Sequence, residues 1–263
     1  MADLGRIILE GIARRRAAPL DTPDCLQTLA EATYRDGTPV ENHIAVDTVL
    51  FLLFAGHETT TGPVCWAALT FASHPEFLDR VRAECATVLG PDPATVPTLE
   101  QLSRLKSLHN GISEVLRLYP PAFALTRIAS ESFTYKNYTI PKGAMVVASG
   151  AVTHGIEALW HDAGSFVPER WNDETPRSMR DRFLTFGGGI HSCLGVHFAR
   201  LEMKVLLLAL IRHFDLSVSG EIRPRGGPAV NWPDAWSRIA CRARRAAPAA
   251  CPAPGAVAAG GGR

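Results

Sequence analysis

Apolar residues recur with helical spacing over most of the first half of the chain and once more near its end. Such stretches predict helices, particularly where they begin at proline or a polar residue and stop at proline or a basic cluster. The helices predicted in this way cover residues 4–16, 24–34, 41–69, 75–89, 99–118 and a last segment that ends at residue 214. Helix is therefore the main secondary structure expected.

Short β-prone runs lie between these helices and after them. The runs are residues 133–135, 138–140, 145–147, 216–218 and 237–241. The first three lie within residues 123–149 and predict one small sheet. A meander rich in proline, tryptophan and aspartate follows at 160–181, and an Ala/Pro/Gly-rich tail at 246–263 is expected to be disordered. The fold class expected is mainly α with a minor β-sheet, in one domain over residues 1–245.

Composition places the chain among globular proteins and excludes several function classes. Of its 263 residues 46% are apolar and 20% are charged, and the formal net charge is +1. Overall charge therefore gives no attraction to nucleic acid or to an anionic membrane. The six cysteines form no CxxC pair, which argues against structural zinc. Because there is no secretory signal and no apolar run of ~18 residues, we expect no membrane span, reduced cysteines and a cytoplasmic location.

A glycine-rich stretch before the last helix carries one histidine and one cysteine, in the order Phe186-Gly187-x-Gly189-x-His191-x-Cys193-x-Gly195. Gly187 and Gly189 can adopt positive φ and bring the backbone close to a flat partner. A cysteine at the start of a helix faces unpaired backbone amides, which favour the thiolate and so suit an axial metal ligand. The alternative is a small buried cysteine, the usual position of a free cysteine in a fold.

A second candidate, the groove segment, is Ala55-Gly56-His57-Glu58-Thr59-Thr60. Glycine within a helix costs about 1 kcal/mol relative to alanine, and Thr59 can donate to the Ala55 carbonyl and loosen the helix. These features predict a small groove for water or O2, in which Glu58 and Thr59 form an acid–alcohol pair that relays protons. The alternative is a buried threonine satisfied by its own helix. A zinc-protease site is excluded, because the segment lacks the second histidine of HExxH.

Charged residues in three further places are candidates for a network or an anion contact. Glu114 and Arg117 lie one helical turn apart, so they can pair on one face of their helix. Arg170 follows in a Pro-Glu-Arg-Trp segment at 168–171. Arg127 is a candidate for an anion contact, because its guanidinium suits a carboxylate. The alternative interpretation of Arg127 is an ordinary surface arginine.

Taken in order, the groove segment, the Glu114–Arg117 pair, a β-rich stretch, the segment 168–171 and the cysteine motif resemble the cytochrome P450 family over roughly residues 41–242. The resemblance implies a P450-like fold with heme b (iron-protoporphyrin IX), held by the Cys193 thiolate as axial ligand. It also implies that Glu114, Arg117 and Arg170 form a structural network.

The resemblance extends to individual side chains. Glu58 and Thr59 would deliver protons to dioxygen over the haem. The residues implied around the haem are, besides Cys193, the propionate contacts His191 and Arg127 and the lining residues Phe186, Gly187, Gly195 and Ala55. The residues implied on the substrate side are Phe54, Phe123, Ala124 and Leu125.

The resemblance implies a monooxygenase that inserts one atom of O2 into a lipophilic organic substrate. Electrons would come from a separate ferredoxin- or flavoprotein-type donor, since the chain has no GxGxxG fingerprint of its own. A peroxide-driven or isomerase enzyme is a variant of this function, against which the intact Glu58–Thr59 pair argues.

Complete members of the family carry a long N-terminal portion ahead of the groove segment, including a lid over the substrate. We therefore expect a P450-like fold truncated at its N-terminus. This expectation does not exclude a membrane anchor on an upstream segment. The alternative function is a non-catalytic or inactive haem-binding fragment that lacks the substrate lid.

Overall fold

The computed structural model describes residues 2–172, 181–225, 231–234 and 236–244. The chain forms two compact units, residues 1–62 and 63–263. The predicted tail at 246–263 lies outside the described residues, as do positions 173–180 of the predicted meander. Within the described ranges, every helix is too short or too polar to cross a membrane.

The first unit contains α1 (Ala2–Ala17), α2 (Cys25–Ala30) and the start of α3 (Asn42–Ser73). Its small core consists of Ile8, Ile12, Ala30 and Ala45. Arg15 and Asp24 form an ion pair, and the Asp24 carboxylate also accepts the Gln27 amide as the N-cap of α2. The predictions for α1 and α3 are confirmed, with α3 extending four residues beyond the predicted end.

The second helix is shorter than the sequence pattern predicts, since α2 ends at Ala30 and the prediction ran to residue 34. The chain turns back there, and Thr33 bridges Pro39. The turn is built by Asp36, whose carboxylate accepts the Thr38 amide at 2.9 Å, and by Gly37 at φ 86°. Local Asp-Gly turn chemistry therefore overrides the helical spacing of the apolar residues.

The second unit contains the end of α3 together with α4 (Pro75–Leu89), α5 (Leu99–Arg104), α6 (Lys106–Leu118), α7 (Gly150–Thr153) and α8 (Val196–His213). Aliphatic and aromatic side chains from α3, α4, α5, α6 and α8 meet in one core. Its fully buried members include Trp66, Phe71, Val81, Leu105, Leu108, Val115, Leu207 and Ile211.

The single helix predicted at 99–118 is wrong, because the chain breaks at Leu105, which has ψ 79°. Thr98 and Gln101 form a capping box that starts α5. The carboxylate of Glu84 on α4 accepts the amides of Ser107 (2.8 Å) and Leu108 (3.3 Å), and so caps the first turn of α6. A contact from another helix thus sets the break.

The strands form antiparallel pairs, and each pair is a separate two-stranded ladder in the described part of the chain. The prediction of one small sheet in 123–149 is therefore corrected to two ladders. Along the sequence, the two strands of one ladder lie between the two strands of the other. The pairs are β1 (Leu125–Ile128) with β4 (Met145–Ala148), β2 (Phe133–Tyr135) with β3 (Tyr138–Ile140), β5 (Phe214–Ser219) with β8 (Arg238–Ala243), and β6 (Pro224–Arg225) with β7 (Trp232–Pro233).

Gly111 lets α6 pack closely on aromatic side chains of α3 and α4. A Cβ at this position would lie 2.9 Å from Cζ of Phe71 and even closer to the Phe77 ring. Both rings are buried in the core, so they cannot swing into solvent to make room. Glycine is therefore required here by packing, although it is a poor helix former.

We expect Gly111→Ala to lower the free energy of unfolding by about 1–3 kcal/mol, since an added methyl overpacks the core. Urea unfolding of the two proteins measures the difference. Gly56→Ala is the control, because a Cβ there meets no described atom within 4 Å and alanine favours the helix. Equal losses in both variants would contradict the packing argument.

Candidate functional site

The cysteine loop (residues 186–195) forms a closed turn in front of α8. The Cys193 amide donates to the Phe186 carbonyl at 2.8 Å. Gly187 (φ 72°) and Gly189 (φ 65°) take the positive φ values that the sequence suggested, and these reverse the chain inside the loop. The helix begins only at Val196, with Gly195 as its N-cap, so Cys193 lies just before the first turn.

The Cys193 side chain is a free, exposed thiol. The alternative of a small buried cysteine is therefore wrong for this position. It describes Cys85 instead, which is buried in the core and whose pKa burial raises to about 11. Among the cysteines in the described ranges, Cys25 and Cys241 are exposed as well, and Cys193 is the one that belongs to a loop shaped by glycines.

The glycines of the loop leave space beside the sulfur. A Cβ at Gly195 would lie 3.9 Å from Sγ of Cys193. A Cβ at Gly187 would lie 3.3 Å from the His191 carbonyl and 3.8 Å from Cδ1 of Leu125, so this part of the loop lies against the start of β1. An exposed sulfur with a glycine beside it fits a flat, metal-bearing cofactor.

Large apolar side chains in and after the loop face solvent. Ile190, Leu194 and Phe198 are 97%, 87% and 66% exposed. Phe123, just ahead of β1, is also exposed. Such a concentration of exposed apolar side chains is typical of a binding surface.

Arg127 and His191 are both exposed. Arg127 lies in β1, and its guanidinium donates to the carbonyl of the neighbouring Thr126 at 2.8 Å. His191 ends a short 3-10 turn (Gly189–His191) in the cysteine loop. Among the described residues neither side chain forms an ion pair, so both side chains stay available for an anionic group.

Phe123, Ala124 and Leu125 form the approach to β1. The Phe123 carbonyl accepts the Ser149 hydroxyl at 2.8 Å, and Leu125 pairs with Ala148 across the ladder. The three residues are thus fixed by β4 and its end. Leu125 is the member of this set that reaches the cysteine loop.

The groove segment lies in the part of α3 that belongs to the first unit. Thr59 donates its hydroxyl hydrogen to the Ala55 carbonyl, as its spacing suggested. The alternative, a buried threonine satisfied by its own helix, is wrong about burial because Thr59 is exposed, and right that the hydroxyl is satisfied within the helix. Glu58 is partly exposed, with its Oε1 3.7 Å from Nδ1 of His57, and Phe54 is exposed as well. Ala55 is half-buried.

Sequence reasoning missed Pro63, which lies inside α3. Proline has no N–H, so it cannot donate to the carbonyl four residues earlier, which is that of Thr59. The Thr59 residue thus combines a back-bonded hydroxyl with a carbonyl that lacks its helical donor. The proline four positions after the threonine is the sequence signal that could have predicted this carbonyl without its helical donor.

Glu114, Arg117 and Arg170 meet in one buried network. Arg117 donates from Nε and Nη2 to the two oxygens of Glu114 at 3.0 and 2.8 Å, and both side chains are fully buried. Arg170 Nε reaches Glu114 Oε1 at 3.1 Å. Trp171 Nε1 and the Val167 amide each donate to the same carboxylate at 3.0 Å. These bonds are charge-assisted, which makes them the stronger kind.

The remaining donors of Arg117 hold the chain between α7 and residue 168. Nη1 donates to the carbonyls of His154 and Ala163, both at 2.8 Å, and Nη2 donates to that of Ser165 at 3.0 Å. All five N–H groups of the guanidinium are therefore used. The network ties the end of α6 to two loops, which is a structural role.

We expect Glu114→Gln to cost about 3–5 kcal/mol of unfolding free energy, because it leaves the Arg117 charge buried without a counter-charge. Denaturant unfolding measures the loss. Glu169→Gln is the matched control: it breaks the half-exposed Arg80–Glu169 pair at 2.7 Å, and exposed pairs contribute about 1 kcal/mol or less. Similar costs for the two variants would refute the assignment.

Two histidines of the second unit, which sequence reasoning also missed, are kept neutral by the fold. Burial lowers the pKa of His109 to about 4, with Arg200 and Lys204 adding to the effect. Burial also lowers the pKa of His154 to about 4. His109 lies 3.4 Å from Nη1 of Arg200, and His154 is bonded on both ring nitrogens. Nothing in their sequence spacing indicates either environment.

The free energy of unfolding is expected to fall as the pH drops from about 6.5 to about 4. Over this range the unfolded chain binds protons at His109 and His154, whose ordinary pKa is 6.5, while the folded chain does not. Each histidine adds at most about 1.4 kcal/mol per pH unit. Urea titrations at several pH values measure the slope. His109→Gln should make it shallower, and an unchanged slope would contradict the neutral state of His109.

Comparison with known proteins places the chain in a family. Residues 7–227 match the family model described as Cytochrome P450. A cytokinin hydroxylase of Arabidopsis thaliana is 38% identical over 68% of this chain and 34% of that protein. A lanosterol 14-alpha demethylase of Rattus norvegicus is 32% identical over 88% of this chain and 45% of that protein. The chain belongs to the cytochrome P450 family.

The fold agrees with this assignment. A crystal structure of a cytochrome P450 superposes with a TM-score of 0.83 at 26% identity, over 93% of this chain and 56% of that one. The mainly α, P450-like fold predicted from the sequence is confirmed. The chain spans between a third and a half of the length of the two curated relatives. Members of this family bind haem through a cysteine thiolate.

Proposed function

We propose that this chain is part of a haem-thiolate monooxygenase and that Cys193 is the axial ligand of the haem. The observation that carries the proposal is the exposed thiol of Cys193 in a glycine-shaped loop, closed by its own amide on the Phe186 carbonyl. A cysteine held in this way, in a chain of the cytochrome P450 family, suits ligation of a haem iron.

The side chains that would hold heme b come from the cysteine loop and from β1, and the family resemblance adds Ala55 of the groove segment. His191 and Arg127 would bind the propionates, because both side chains are exposed, a guanidinium binds a carboxylate well, and an imidazole N–H can donate a hydrogen bond to one. The residues that would line the ring are Phe186, Gly187, Gly195 and Ala55. When bound, the haem supplies the activation of O2 from which one oxygen atom enters the substrate.

Glu58 and Thr59 would supply protons for this reaction. The Thr59 hydroxyl gives its hydrogen to the Ala55 carbonyl, so its oxygen can accept a hydrogen bond from water. Glu58 is partly exposed and can exchange protons with solvent. A proton would pass from Glu58 through water to Oγ1 of Thr59, and the hydroxyl hydrogen of Thr59 would turn away from the Ala55 carbonyl and pass to dioxygen as it is reduced. General acid groups in such positions contribute about 10²–10⁴-fold to rates.

The substrate is a lipophilic organic molecule in this proposal. Phe54, Phe123, Ala124 and Leu125 would contact it, and all four are apolar. The two relatives named above are a hydroxylase and a demethylase, which supports oxidation of an organic substrate. Electrons would come from a ferredoxin- or flavoprotein-type donor.

A haem-binding role without turnover is the second candidate. The exposure of Phe54 and Phe123, which are 75% and 48% exposed, favours it, because a productive site excludes water. Product formation with an electron donor separates the two candidates. A chain that binds haem through Cys193 and forms no product would have the second function.

The assignment of Cys193 as the axial ligand is tested by reducing the haem-loaded chain and adding carbon monoxide. We expect the strongly red-shifted Soret band of a thiolate-ligated complex, and we expect Cys193→Ser to abolish it because serine offers no thiolate. Cys241→Ser is the matched control, since Cys241 is another exposed free thiol in the same unit. An imidazole-like band in the unaltered chain, or equal loss in both variants, would refute the proposal.

A further inference from the structure

Two of the carbonyl groups at the end of α6, those of Leu116 and Arg117, are satisfied by side chains from outside the helix. The last four carbonyls of a helix have no partner within it. Here the Leu116 carbonyl accepts the Thr185 hydroxyl at 2.8 Å, and the Arg117 carbonyl lies 3.0 Å from Nδ1 of His154. Both side chains are buried.

His154 joins this helix end to the segment that leads into the cysteine loop. The Leu184 amide donates to Nε2 of His154 at 2.9 Å. Since Nε2 accepts, the ring proton must be on Nδ1, where it is donated to the Arg117 carbonyl. The neutral ring therefore bridges Arg117 and Leu184.

The ring has a fixed orientation. It stacks on Phe183, with centroids 5.5 Å apart and planes 19° apart. Trp160 meets it edge-on at 5.8 Å. A Cβ at Gly150 would lie 3.6 Å from Cε1 of His154. Aromatic contacts and backbone bonds together leave the imidazole little freedom.

The contacts continue from Leu184 to the cysteine. The Leu184 carbonyl accepts the Gly187 amide at 3.0 Å, and the Phe186 carbonyl accepts the Cys193 amide at 2.8 Å. Thr185, between them, is bonded to α6. His154 and Thr185 thus attach residues 184–186 to the end of α6 immediately before the loop closes on Cys193.

We propose that His154 is a positioning residue for Cys193, acting through Leu184 and Phe186. The inference rests on the function proposed above, because positioning matters for a ligating sulfur. Without the bridge, the segment 184–186 would lose one of its two attachments to α6, and the Cys193–Phe186 hydrogen bond would open more often. The cysteine loop would then hold its sulfur in a wider range of positions.

The variant that tests this is His154→Phe, which keeps an aromatic ring against Phe183 and removes both hydrogen bonds. The matched control is His74→Phe. His74 also has its Nδ1 on a backbone carbonyl, that of Thr70 at 2.7 Å, and its ring lies 4.8 Å from that of Phe166. The structure records no bond from His74 to the cysteine loop within the described ranges. His154→Gln restores one donor and one acceptor.

The first measurement is amide hydrogen exchange in the haem-free chain. In His154→Phe we expect exchange at the Leu184 and Cys193 amides to be faster by about tenfold or more, as loss of a buried hydrogen bond allows. In His74→Phe these two amides should exchange at the unaltered rate. Unchanged exchange in His154→Phe, or equal acceleration in both variants, would overturn the proposal.

The second measurement is the ferrous–CO spectrum of the haem-loaded variants. We expect the thiolate-type fraction of the band to fall by at least about twofold in His154→Phe, to recover partly in His154→Gln, and to stay unchanged in His74→Phe. A full thiolate-type fraction in His154→Phe would overturn the positioning role. If the unaltered chain shows no thiolate-type band, the proposed function fails, and amide exchange still decides whether His154 positions the loop.

Discussion

The buried Glu114–Arg117 pair is the interaction on which the surroundings of the candidate site depend. Burying two charges costs several kcal/mol each unless every donor and acceptor is satisfied, and here the satisfaction is complete for the guanidinium. Its five donors are shared between one carboxylate and the carbonyls of three residues that lie 37 to 48 positions later in the chain. The pair therefore selects one arrangement of the loops that follow α7.

The carboxylate side of the pair extends the same arrangement. Glu114 accepts from Arg170 and Trp171 and from the Val167 amide, so the turn at residues 168–171 is fixed to α6. His154 donates to the carbonyl of Arg117, near the C-terminal end of α6. One face and one end of α6 thus hold the segments from α7 to the cysteine loop in place. The position of the Cys193 sulfur therefore depends on α6 through these segments.

Sequence patterns predicted what depends on local spacing and missed what depends on distant contacts. Glu114 and Arg117 share a helical turn, so their pairing could be foreseen, and Arg170 followed from the resemblance. His154, Thr185 and Glu84 act on backbone groups 23 to 69 positions away, and no periodicity reports such a contact. The break at Leu105 has the same origin, because a cap from another helix outweighs apolar spacing. The early end of α2 has a local cause instead, the turn at Asp36 and Gly37.

Cys85 and Cys193 show how the fold gives one kind of side chain two different environments. Cys85 lies on the inner face of α4, where burial disfavours the thiolate. Cys193 lies before α8, where two glycines at positive φ reverse the chain and Gly195 adds no side chain beside the sulfur. The difference is made by backbone conformation and by the absence of neighbouring Cβ atoms. A loop of this kind has few side chains of its own to keep it rigid, so its rigidity has to come from bonds such as those of Thr185 and His154.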